Sequence, residues 1–229
     1  MKTLPGDPPV EITLRRTARA RRFSLRVSQL DGRVTLSMPL RSHEAEALAF
    51  AQDKAAWIRQ MLAGTPQRQV IAPGQQVLFE GRKLTVLSCA EIRAVRVEGD
   101  RLLVPRGGAQ AGARVQAFLK LMARQRLQRA SERYCGELGR PFRRISLRDT
   151  RSRWGSCTTD GALMYSWRLI MAPPAVLDYV AAHEVAHLAE MNHSPAFWAV
   201  VAGLMPEYKS HRQWLRRHGS ALHQVDFTG

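Results

Sequence analysis

Apolar and polar residues alternate from Phe23. Phe23, Leu25 and Val27 share one face, Asp31-Gly32 supplies a turn, and Val34, Leu36 and Met38 return, which predicts a β-hairpin. The period then lengthens. A segment from about Ser42 to Leu62 carries Leu48, Phe50, Ala51, Trp57, Ile58 and Leu62. It opens on Ser42-His43-Glu44-Ala45-Glu46, a cap with acids in the first turn, so it reads as one amphipathic helix ended by Gly64 and Pro66. Two further hairpins are predicted, Val77 to Val86 around Glu80-Gly81 and Val95 to Val104 around Glu98-Gly99-Asp100.

Pro105-Arg106-Gly107-Gly108 punctuates the chain, and the pattern beyond it changes. A long helix is expected from about Ala109 to Leu138, with Val115, Phe118, Leu119, Met122 and Leu127 as its inner stripe. A short strand at Ile145 and Leu147, a loop at Ser152 to Cys157 and a strand of about Leu163 to Met171 follow. Pro173-Pro174 then starts a helix whose inner residues are Val176, Leu177, Val180, Val185 and Leu188. Ser194-Pro195 opens a helix carrying Phe197, Trp198, Val201 and Leu204, and a last helix spans roughly Glu207 to His218. The expected class is α+β: a β-rich N-terminal domain with one helix over residues 1–105, then a mainly helical domain with a small sheet over 106–229.

Chemistry concentrates in His183-Glu184-Val185-Ala186-His187-Leu188-Ala189-Glu190-Met191-Asn192-His193. Histidines four apart on a helix are offset by about 40°, so both imidazoles project from one face and can grip one ion. Glu184 lies near that face, where its carboxylate can take a proton from a metal-bound water without being a ligand. A catalytic zinc takes three protein ligands, and His193 completes the set. A straight helix would carry His193 roughly 9 Å along the axis from His187. The chain must therefore turn after about Glu190, helped by Asn192, a residue tolerant of the left-handed conformation. The spacing equals that of H-E-x-x-H-x-x-G-x-x-H proteases, but Glu190 stands at the glycine position. A Glu and two His in so apolar a helix need a partner, because unpaired buried polar groups are costly. Zinc is the expected metal, one ion, from the all-imidazole set.

The chain has 229 residues and enough length to bury a substantial core. Its three cysteines, Cys89, Cys135 and Cys157, form no C-x-x-C, which argues against a disulfide framework and a cysteine-rich zinc site. No apolar leader and no span of about 20 apolar residues is present, so a cytoplasmic location is expected and a membrane partner is not. Net charge is +16, from 35 basic and 19 acidic side chains. Residues 114–153 alone are net +9, and Arg15, Arg16, Arg19, Arg21, Arg22 and Arg26 form a second cluster. Arginine pairs with phosphate and stacks on bases, so nucleic acid is a candidate partner; ordinary solvated faces of an arginine-rich chain are the plainer alternative.

The stretches Arg148 to Cys157, Trp167-Arg168-Leu169-Ile170-Met171-Ala172-Pro173-Pro174, Tyr179-Val180 and His183 to Trp198 resemble the YgjP-like metallopeptidases. More remotely the chain is similar to SprT-like and WLM peptidases, some of which digest proteins crosslinked to DNA. The resemblance implies a gluzincin-like or minimal zincin core in which His183, His187 and His193 bind zinc and Glu184 is the catalytic base of peptide hydrolysis, with nucleic-acid-associated proteins as candidate substrates. In Arg153-Trp154-Gly155-Ser156-Cys157, Arg153 is a candidate for meeting a substrate carboxylate or an oxyanion, while Trp154 and Cys157 read as packing residues. Phe197 and Trp198 read as core. His211, Tyr208 and Tyr165 are alternative oxyanion donors, and the strand at 163–171 is a candidate for pairing with an extended substrate.

The rival reading is a nucleic-acid-binding module with a structural or vestigial zinc site. Such a module would fill the fourth coordination position with a protein ligand, for which Glu190 and Glu207 are candidates, whereas a hydrolase leaves it to water.

Overall fold

Two strands that open the chain escaped the pattern reading. In the computed structural model, which describes residues 1–28, 32–64, 69–106 and 111–227, β1 spans Lys2–Leu4 and β2 spans Val10–Arg16. The expected hairpin follows as β3 (Ser24–Val27) and β4 (Val34–Met38), antiparallel. Its turn residue Asp31 lies outside the described residues, as do Pro66, Gly107, Gly108 and Ala109. β2 runs parallel to β4 and gives the sheet order β1-β2-β4-β3. Val10, Ile12 and Leu14 alternate as a strand should, but the arginines that follow them obscured the signal.

The helix expected as one piece is two, α1 (Glu44–Asp53) and α2 (Ala55–Ala63), with Lys54 between them. The N-cap is His43, without a side-chain cap bond; the Ser42 hydroxyl instead donates to the Pro39 carbonyl at 2.9 Å. Ala47, Ala51, Ala55 and Ile58 continue one buried stripe across the break and join Ile12, Val34, Leu36 and Met38 in a core. These strands and helices form the compact unit of residues 1–68.

The second unit covers residues 69–229. After β5 (Gln69–Val70) come the two expected hairpins, β6 (Gln76–Phe79) with β7 (Arg82–Cys89) and β8 (Arg96–Glu98) with β9 (Arg101–Pro105). The tip Glu80-Gly81 has φ of 50° and 78°, the two positive values that a two-residue hairpin turn of the primed type requires. β7 and β9 pair in parallel, so the sheet reads β6-β7-β9-β8. The expected division at 105/106 falls inside this unit. Val77, Leu84, Val86, Leu102 and Val104 of this sheet share one core with Val115, Leu119, Leu127 and Tyr134 of the long helix α3 (Ala111–Leu138).

β10 (Arg144–Arg148), β11 (Gly155–Cys157) and β12 (Ala162–Ser166) make a small sheet in the order β10-β12-β11. The strand expected to reach Met171 stops at Ser166, and Trp167–Met171 coil into a 3-10 turn in which every residue is buried. The carbonyls of Ile170 and Met171, which a strand would have given to a neighbour, accept from the amides of Glu80 and Gly81 at 2.7 and 3.3 Å. The helices α4 (Pro174–Ala186), α5 (Pro195–Leu204) and α6 (Tyr208–His218) follow, and β13 (Val225–Asp226) returns to pair with β5. The result is an α+β fold, and among the described residues no helix is long and apolar enough to cross a membrane.

Candidate metal centre

Most of α4 is apolar and buried: Val176, Leu177, Val180, Ala181, Ala182, Val185 and Ala186 are all in the core. Pro173 stands at the N-cap and Pro174 opens the helix. The helix was expected to run to about Glu190 but ends at Ala186. The amides of Leu188 and Ala189 bond to carbonyls only three residues back, on Val185 and Ala186, which tightens the last turn. His187 is thus the C-cap, with φ −65° and ψ −17° that keep it one turn from His183 on the same face. Asn192 does not take the left-handed conformation, since Glu80 is the only non-glycine with positive φ among the described residues. The return to His193 is made by a tight turn in which the Ser194 amide donates to the Asn192 carbonyl at 2.7 Å. The Ser194 hydroxyl then caps α5 by accepting from the Phe197 amide.

The three imidazoles meet, with one ligand atom from each of His183, His187 and His193 lying within 4.8 Å of the others. His183 Nε2 and His193 Nε2 are 3.1 Å apart. Two nitrogens bound to one tetrahedral zinc at ~2.05 Å would be about 3.3 Å apart, so the spacing fits a shared ion. His187 Nδ1–H donates to the Glu190 carbonyl at 3.0 Å, which fixes the tautomer and leaves Nε2 as a ligand. Phe197, fully buried, forms a floor under all three rings, its centroid 4.4 Å from that of His187, 4.8 Å from His193 and 5.0 Å from His183. Burial, reinforced by the neighbouring imidazoles, pushes His183 down to about 3, so it is neutral and available to a metal. No fourth side-chain ligand belongs to the cluster among the described residues; Glu190 contributes only its backbone carbonyl, and Glu207 stands at the N-cap position of α6 without a side-chain cap bond.

Glu184 is 5% exposed, and burial pushes its carboxyl up to about 8 against the opposing charge of Arg153. Its carboxylate lies against the backbone of β11: a Cβ built on Gly155 would stand 2.5 Å from Glu184 Oε1. Only glycine admits this approach. The Trp154 ring packs on His223, with centroids 4.9 Å apart, and also lines a cavity of about 330 Å³ beside Glu184 and His183. Burial, then the Glu184 charge, pushes the Cys157 thiol up to about 11, which does not suit a nucleophile.

None of the expected oxyanion donors lines this cavity. Tyr165 is fully buried with its hydroxyl 3.0 Å from Ser131 Oγ, Tyr208 stacks on Trp198, and His211 does not line the cavity. Tyr179 and Arg212 do. Tyr179 was legible, being four residues before His183 on one helical face; Arg212 depends on how α6 packs. The expected substrate strand is also corrected: β12 is paired on both sides, by β10 and β11, so its backbone is saturated. The edge beside Glu184 is β11. Several arginines of the basic segment are structural: Arg126 pairs with Glu80, Arg133 with Asp178 and Arg143 with Asp160, while Arg114 and Arg124 donate to the carbonyls of Pro105 and Ile145.

A comparison with curated proteins finds no match. Among solved structures, the metallopeptidase zymogen abylysin of Pyrococcus abyssi is similar at 18% identity and a TM-score of 0.37, covering 40% of this chain and 93% of that one. The family described as YgjP-like, metallopeptidase domain, matches residues 21–218. The chain therefore belongs to the YgjP-like family and is a metallopeptidase.

Proposed function

We propose that the protein hydrolyses peptide bonds with one zinc ion held by His183, His187 and His193 and with Glu184 as general base. The observation that carries this reading is the convergence of three imidazoles beside a buried carboxylate that is not itself part of the ligand cluster. Three nitrogen ligands favour zinc and suit a catalytic rather than a closed structural site. When bound, the ion supplies a Lewis acid that lowers the pKa of water and polarises a carbonyl.

Glu184 accepts a proton from the attacking water; its burial raises the carboxylate's affinity for that proton, while the charge of a bound cation would favour the ionised form that takes it up. It then returns the proton to the leaving amine. Tyr179 lines the same cavity, and burial pushes its phenol up to about 12, so the hydroxyl stays protonated and can donate to the developing oxyanion. The open edge of β11 holds an extended substrate by backbone pairing, with Gly155 bringing that edge against Glu184. The three free cysteines are consistent with a reducing, cytoplasmic setting.

The test is cleavage of a proteome-derived peptide library by zinc-loaded protein, read by mass spectrometry, comparing wild type with Glu184→Gln. Cuts made only by wild type, with equal zinc in both proteins, are expected. Equal cutting by the variant would remove Glu184 from its role.

A further inference from the structure

The cavity beside the metal centre carries an unusual charge balance. Its walls bring together Arg153 from the loop before β11 and Arg212 and Arg216 from α6, and Glu184 is the one acid among them. Four other guanidinium groups of this unit meet carboxylates: Arg126 with Glu80, Arg133 with Asp178, Arg143 with Asp160, and Arg168 with both oxygens of Asp149. Arg153, Arg212 and Arg216 make no ion pair among the described residues. α6 contains no Asp or Glu that would neutralise them.

We propose that Arg153, Arg212 and Arg216 form a subsite for a carboxylate carried by the peptide substrate on a residue flanking the scissile bond. The inference rests on the metallopeptidase reading of the same site and names what that site selects. Arg212 and Arg216 are one helical turn apart, so both guanidinium groups project from one face of α6. Arg212 is held in place by the Trp198 ring, 4.6 Å from its guanidinium carbon, which lowers the entropy lost when it binds. Arg153, from a different element, lines the same cavity. Trp154, Val180 and Leu215 supply apolar walls, where a carboxylate paired with arginine gains more than it would in open water. The cavity of about 330 Å³ accommodates one side chain or a chain terminus, so an aspartate or glutamate side chain and a C-terminal carboxylate present the same chemistry to it.

The experiment uses full-length zinc-loaded protein and peptides identical except at one flanking position, carrying Glu, Gln or Lys, each with a free or an amidated C-terminus. A kcat/KM preference of about tenfold to a hundredfold for the carboxylate is expected, the range for a charge-assisted hydrogen bond gained or lost. It should collapse toward unity in the Arg212→Gln/Arg216→Gln double variant, fall in Arg153→Gln, and be largely kept in Arg212→Lys. Preference for Glu over Gln in amidated peptides identifies a side-chain source; preference for free over amidated ends identifies the terminus. A second readout does not depend on turnover: Kd of the same peptides for the Glu184→Gln protein, by calorimetry. Cleavage of all peptides at equal rates would overturn the subsite and leave the peptidase standing. Absence of cleavage with carboxylate-dependent, arginine-dependent binding would keep the subsite and count against the hydrolytic reading. Equal Kd for acid and amide forms, or arginine-dependent binding of a single-stranded oligonucleotide without any peptide preference, would also overturn it.

Discussion

Gly155→Ala isolates the positioning of Glu184, the proposed base, from its chemistry. The added methyl would stand 2.5 Å from Glu184 Oε1, 2.6 Å from Cγ and 2.7 Å from Cδ, whereas ordinary contact begins at 3.4 Å. The carboxylate must withdraw by about 1 Å, and a misplacement of that size in a reacting group costs on the order of 10²-fold in rate. Stability should fall by no more than about 1–3 kcal/mol, the cost of forcing a methyl into a packed interior where Glu184 Cγ and Cδ as well as Oε1 must shift, and the stiffer unfolded chain offsets about 0.4–1 kcal/mol of it. Gly155 is not among the residues with positive φ, so no backbone strain is added. Neither Gly155 nor Glu184 belongs to the histidine cluster, so metal content should be that of wild type. The assay is kcat on a cleaved peptide alongside a thermal melt and metal analysis. A variant that melts normally, binds metal and retains kcat within about threefold would refute the contact between β11 and Glu184 as a determinant of rate.

Four other outcomes are expected. His187→Ala should lose stoichiometric zinc by elemental analysis, and unchanged content would show that the ligand set is wrong. Arg168→Leu should destabilise by about 3 kcal/mol in denaturant melts, because it strands Asp149 and the carbonyls of Leu222 and Val225 that Arg168 now satisfies; a change near zero would contradict that role. His223, which burial and then the Arg168 charge push from 6.5 down to about 4, is neutral in the fold and charges more readily when unfolded. Its contribution is therefore present above pH 6.5 and lost as pH falls toward 4, so His223→Phe should flatten the melting midpoint across that window, and an unchanged slope would refute it. Gly81→Ala, at φ +78° with Pro173 Cα 3.0 Å from the new Cβ, should cost about 1–2 kcal/mol without loss of metal binding; a neutral melt would count against the docking of this hairpin.

The parts of the site legible in the sequence were those set by spacing along one element. His183, Glu184 and His187 are fixed by helical geometry, His193 by the need for a turn, and the Ser194-Pro195 start of α5 by capping chemistry. Tyr179 belongs to the same class, since i and i+4 share a face. What the sequence hid depends on which elements meet. Phe197 reads as an ordinary core residue until α5 folds back and sets its ring beneath three imidazoles contributed by α4 and the loop after it. Gly155 reads as a turn residue until β11 lies against Glu184, where the absent side chain rather than a present one does the positioning. The arginines show the same limit from the other side. Composition alone made residues 114–153 a basic surface, yet Arg126, Arg133 and Arg143 find carboxylates on other elements, and three guanidinium groups from segments separated by some sixty residues meet at the cleft. Local periodicity carries no information about such encounters, because they follow from the packing of α6 and the β11 loop on α4. The proposed carboxylate subsite therefore depends on non-local contacts, whereas the residues proposed for hydrolysis lie within eleven consecutive positions.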